Sequence, residues 1–91
     1  MLPSSIVLSS DVLFQELEGQ AILLNLVNET YYGLDDVGSR IWQLLNEYNG
    51  ETELVLHRML VEYDVDEESL RTDMINLLAD LTKAKLITLN Q

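Results

Sequence analysis

Across residues 6–34 apolar side chains recur at the short spacing of strands and are interrupted by small polar pairs. Residues 12–17 (VLFQEL) run to Glu18-Gly19, residues 20–27 run to Asn28-Glu29, and residues 30–34 (TYYGL) follow. Two brief loops between apolar runs predict two antiparallel hairpins, and hence a three-stranded meander. A two-residue first loop sets Leu13 and Leu17 on one face with Ile22, Leu24 and Leu26. The other face then carries Val12, Phe14, Ala21, Leu23 and Val27. Both faces are apolar, so alternation alone does not say which one meets the core.

Past Leu34 the period lengthens. Asp35 is a good N-cap with Asp36 in the first turn behind it, and Val37, Ile41, Leu44, Leu45 and Tyr48 fall on one helical stripe. Asn49-Gly50 stops that helix. Thr52 is positioned to cap a second, ending near Tyr63, with Val55, Leu56, Met59, Leu60 and Tyr63 as its stripe and Leu54 and Val61 on its far side. Asp66 caps a third, running to about Ala84, with Leu70, Met74, Leu77 and Leu81 inward and Lys83 and Lys85 near its negative end. Residues 86–89 (LITL) read as a short terminal strand or an extended tail. Three strands followed by three helices predict an α+β domain: a small antiparallel sheet on a winged helix-turn-helix-like unit. With 91 residues, no repeat and no linker, residues 1–91 read as a single domain.

Composition narrows the function. Sixteen Asp and Glu against five Lys and Arg give a formal charge of −11. That charge disfavours phosphate backbones and anionic lipid, so neither nucleic acid nor membrane is expected as a partner. A helix-turn-helix outline would make the third helix a DNA reader, but Glu67, Glu68, Asp73 and Asp80 lie on it. With no cysteine there is neither a disulfide nor a thiolate site. The start of the chain lacks the positive region of a secretory signal and no apolar run reaches the length of a membrane span, so a cytoplasmic location is expected.

Little in the chain resembles a reaction centre. His57, the one histidine, has no companion ligand, and the run Asp64, Asp66, Glu67, Glu68 lacks the glycine and closing glutamate of a calcium loop. No phosphate-binding loop or nucleophile elbow is present. The expectation is a non-enzyme without metal or cofactor.

What remains is the sheet. A meander has two edges, and residues 30–34 carry β-formers with no Pro or Lys to guard them. Such an edge is covered by another element, with residues 86–89 or a homodimer mate as candidates, or it binds a peptide. On the third helix, Arg71, Ile75, Leu78 and Thr82 form an apolar flank with a cationic margin. If that flank lies beside the third strand, an extended peptide could pair its backbone with the strand and set alternate side chains against Met74, Ile75 and Leu78. The competing reading is a winged-helix protein–protein interaction or dimerisation module with no peptide substrate.

With these residues in view, the sequence resembles the PqqD-like family, the precursor-peptide recognition elements of ribosomal peptide natural product biosynthesis. The resemblance runs from about Val7 to Leu86, through QAILLNL (20–26), TYYGLD (30–35), VGSRIW (37–42), EYDV (62–65), LRTD (70–73) and LLADL (77–81). It implies three strands and three helices in a winged-helix arrangement. The implied function is capture of a leader peptide as an added strand along the third strand and third helix. The peptide is then presented to a modifying enzyme such as a radical-SAM enzyme, a leader protease or a cyclase, so that the domain acts as a peptide chaperone. Carried over by position, the implied binding residues are Thr30, Tyr31, Tyr32 and Gly33 on the strand and Arg71, Met74, Ile75 and Leu78 on the helix. The segment Tyr31-Tyr32-Gly33-Leu34-Asp35 differs from the members dedicated to the quinone cofactor and is closer to stand-alone members near lasso-peptide clusters. Lys85 stands where many relatives have glycine.

Overall fold

The computed structural model describes residues 2–18 and 20–89. The order is β1 (Ile6–Leu8), β2 (Val12–Leu17), β3 (Gln20–Asn25), β4 (Tyr31–Leu34), α1 (Asp36–Glu47), α2 (Thr52–Glu62), α3 (Glu67–Lys83) and β5 (Ile87–Leu89). The expected meander is β2-β3-β4, antiparallel throughout, so the third strand of the sequence reading is β4. Leu17 pairs with Gln20, which leaves a two-residue loop whose Gly19 lies outside the described residues. The terminal strand does not cover the meander. β5 pairs with β1 as a separate antiparallel ribbon, Ile6 opposite Leu89.

The helices meet the face carrying Ala21, Leu23 and Asn25, all buried, with Val12, Phe14 and Tyr32 packed at its margin. Leu13 and Leu17 on the other face stay exposed. β3 ends two residues before the expected Val27. The Asn25 side chain ends it: its Oδ1 accepts from Val27 N–H at 2.9 Å and Asn28 N–H at 3.3 Å, curling the chain away from the ladder. Leu26 and Val27 are left exposed in the loop.

Asp35 caps α1 as expected, its Oδ1 accepting from Gly38 N–H at 2.7 Å. Ile41, Trp42, Leu44 and Leu45 enter the core, while Val37 stays at the surface. Gly50 ends the turn after α1 with φ +80°. A Cβ there would lie 1.9 Å from the Ile6 carbonyl oxygen, so only glycine lets β1 come this close. Thr52 is not the N-cap. It is the first residue of α2, fully buried, and its hydroxyl donates to the Pro3 carbonyl and lies 3.1 Å from that of Ser4. The N-terminal segment recruits Thr52 because β1 has to dock there.

Asp66 caps α3, accepting from Ser69 N–H at 3.0 Å. The buried stripe is Leu70, Met74, Leu78 and Leu81, with Leu77 only half-buried. The stripe is turned from the expected one because α3 packs on the β1–β5 ribbon as well as on α2. Two ion clusters brace the helices. Glu62 of α2 takes Arg40 of α1 at 2.6 Å and Arg58 at 2.8 Å; Arg71 of α3 takes Glu53 of α2 at 2.6 Å and Glu67 at 3.3 Å.

Candidate functional site

β4 lies at the edge of the meander, with β3 as its one strand neighbour among the described residues. The hydrogen-bonding phase of that edge follows from one contact. Asn25 N–H donates to the Thr30 carbonyl at 2.8 Å, which marks this as a hydrogen-bonding position of the ladder, although Thr30 N–H turns to Asn28 Oδ1 instead of returning the bond. Such positions alternate along an antiparallel ladder. In the register Leu24–Tyr31, Leu23–Tyr32, Ile22–Gly33 and Ala21–Leu34, the backbone groups of Tyr32 and Leu34 face β3. Those of Tyr31 and Gly33 face outward. The side chains alternate too: Tyr32 and Leu34 point to the helices, and Tyr31, 75 % exposed, points away.

Beneath the edge, between β4 and the helices, is a groove of about 390 Å³. Tyr32, Leu34, Val37, Gly38 and Ile41 form one wall, Asp73 and Leu77 of α3 the other, and Asp35 the rim. A shallower hollow of about 580 Å³ lies on the opposite side of the same edge, over Ile22, Tyr31 and Gly33. An added strand would therefore find a receptacle for both of its faces.

One end of the groove is clasped. Tyr32 donates its phenol O–H to Asp80 Oδ2 at 3.1 Å, the Thr30 hydroxyl lies 3.5 Å from the Ala84 carbonyl, and Asn25 Nδ2 donates to the Lys85 carbonyl at 2.9 Å. Lys85 holds φ +60°, the left-handed backbone that glycine adopts freely. The Tyr32 phenol is pushed above its ordinary pKa, first by burial and then by the hydrogen bond to Asp80 and the charges of Asp80 and Asp35. It therefore stays a donor at neutral pH.

The residues expected to form the site separate. Tyr31, Tyr32 and Gly33 lie on the free edge, and Thr30 immediately precedes it. The helix residues go elsewhere. Met74 is fully buried in the core. Arg71 is engaged with Glu53 and Glu67. Ile75 and Leu78 line a hollow with Pro3, Ala79, Thr82 and Leu89, on the side of α3 that meets the ribbon. The α3 wall beside β4 is Asp73, Leu77 and Asp80 instead. Their spacing, i, i+4 and i+7, is a helical face visible in the sequence, but its bearing depends on the ribbon that rotates α3. Among the described residues no three metal-binding side chains converge, and no helix is long and apolar enough to cross a membrane.

Comparison with known proteins agrees with this architecture. The family model of coenzyme PQQ synthesis protein D (PqqD) matches residues 20–87. A solved structure described as TbiB1 in complex with the TbiA(beta) leader peptide is 34% identical, with a TM-score of 0.79, over 89% of this chain and 93% of that one. Another, lasso peptide synthetase B1 complexed with the leader peptide, shares the fold at 21% identity and a TM-score of 0.75, over 94% of this chain and 99% of that one. No curated protein matches the chain.

Proposed function

The chain belongs to the PqqD family, and on that premise we propose that it binds the leader segment of a ribosomally made precursor peptide and presents it to a modifying enzyme, without catalysing a reaction itself. The observation that carries this reading is the unpaired edge of β4 beside an open groove. Tyr31 and Gly33 offer two N–H and two C=O groups to an incoming strand, giving affinity with little demand on sequence. Alternate side chains of that strand would enter the groove toward Leu34, Ile41 and Leu77, or lie over Ile22 and Tyr31. That TbiB1, 34% identical, is described in complex with a leader peptide supports the same occupant here.

In this reading the peptide-binding residues are Tyr31, Tyr32, Gly33 and Leu34 on the strand, Val37 and Ile41 on α1, and Asp73 and Leu77 on α3, with Asp80 holding the Tyr32 ring. Arg71 serves the α2–α3 junction. Holding a substrate beside its enzyme raises its effective concentration, and that gain requires no catalytic group in the carrier. The modifying enzyme belongs to the classes that process such peptides: a radical-SAM enzyme, a leader protease or a cyclase. The test is titration of a fluorescent leader peptide, with the TbiA(beta) leader as the probe. Saturable binding that is lost when the β4 edge is blocked is expected. Saturable binding unaffected by blocking that edge refutes the mode of docking.

A further inference from the structure

We infer that Tyr32, braced on Asp80, sets the size selectivity of the strand-addition site. A docked segment carries a large apolar side chain facing Leu34 and a small one two residues away, facing Tyr32. The inference rests on the strand-addition reading above and adds a rule about which segments are accepted.

The argument starts from alternation. In a strand paired to the outward groups of Tyr31 and Gly33, the residues opposite Tyr32 and Leu34 are two apart, and both turn toward the helices. This holds whichever way the segment runs. Facing side chains on adjacent strands sit about 5 Å apart at Cβ. The residue opposite Leu34 thus enters the groove of about 390 Å³ lined by Leu34, Val37, Ile41 and Leu77. The residue opposite Tyr32 meets the ring that bounds the same groove at its other end. There the phenol reaches α3 and donates to Asp80 at 3.1 Å. The groove stops at this ring: its α3 lining is Asp73 and Leu77, and none of it extends to Asp80 or Ala84. Beyond the ring, the Thr30–Ala84 and Asn25–Lys85 contacts close the gap between the loop and α3.

A bulky side chain opposite Tyr32 would have to displace the ring and break its bond to Asp80. Overpacking of this kind reverses the usual gain from added apolar area. The test uses two labelled peptides with threonine at every outward position. One has leucine at every inward position; the other alternates leucine and alanine there. In the all-leucine peptide, every slip by two residues still sets a leucine against Tyr32. The native protein is expected to bind the leucine/alanine peptide about tenfold more tightly, although it buries less apolar surface. Tyr32→Ala should reverse the order, and Asp80→Ala, which frees the ring without deleting it, should narrow the gap; circular dichroism melts establish that both variants are folded. Tighter binding of the all-leucine peptide to native protein overturns the inference and leaves strand addition standing. Failure of the native protein to bind either peptide or a leader overturns both.

Discussion

Two proline substitutions at neighbouring positions of β4 should have opposite consequences. Gly33 turns its N–H outward, and a Cβ placed there meets nothing within 4 Å. Tyr32, the residue before it, is already in a strand, the conformation proline requires of its predecessor. Gly33→Pro should therefore leave the fold nearly intact. Its cost falls on the bound peptide, which loses one backbone hydrogen bond, net about 1 kcal/mol. The peptide carbonyl that would have accepted that bond is left orphaned against the ring, which costs about 1–2 kcal/mol more. The sum is about 2–3 kcal/mol, or roughly 30- to 150-fold in Kd. Tyr32→Pro instead removes an N–H that the ladder phase directs at Leu23, the fully buried centre of β3. It should destabilise the domain by about 3 kcal/mol, reducing the folded fraction rather than the affinity of folded molecules. Anisotropy of a labelled leader peptide gives Kd, thermal melts give stability, and Gly33→Ala serves as a control expected to bind within about threefold of native protein. Unchanged affinity in a folded Gly33→Pro protein, or a fully stable Tyr32→Pro, would refute the assignment of outward and inward groups.

Other outcomes follow from single contacts. Asn25→Leu removes the bonds to Val27 and Asn28 and leaves the Lys85 carbonyl without its partner, and should cost about 2–4 kcal/mol in urea unfolding. Gly50→Ala combines a left-handed backbone with a clash against the Ile6 carbonyl; a loss of about 2–5 kcal/mol is expected, read as a lower Tm. Arg40 and Arg58 hold the Glu62 carboxyl down to about 2. A carboxyl with a depressed folded-state pKa adds stability that is complete above the ordinary carboxylate range and is lost as pH falls toward 2. Glu62→Gln should therefore flatten that part of the acid-unfolding curve, and 1 M salt should shrink the difference because the pair is exposed.

Local chemistry made much of the fold readable in the sequence. Asp35 and Asp66 cap their helices, Asn49-Gly50 ends α1, and the β2–β3–β4 meander follows from its apolar runs and short loops. What escaped depends on contacts distant in sequence. Asn25 reads as one more strand residue until the Lys85 carbonyl, sixty residues away, is seen to claim its side chain. Thr52 reads as a cap until Pro3 and Ser4 arrive beside it. The β1–β5 ribbon turns α3 enough to bury Leu78 and leave Leu77 at the groove. The free strand edge was thus legible, whereas the face of α3 that lies beside it is set by a rotation that no local pattern records.

The ribbon also has an architectural consequence. It sets the first strand of the domain antiparallel to the last, so that Ile6 and Leu89 lie side by side. Leu89 lies against the flank of α3 that carries Ile75, Ala79 and Thr82, opposite the flank that carries Asp73, Leu77 and Asp80. Entrance and exit thus share one doorway, at the back of the molecule relative to β4. A polypeptide could carry this module as a cassette, spliced in at a single surface loop or hung from either end, without obstructing its front.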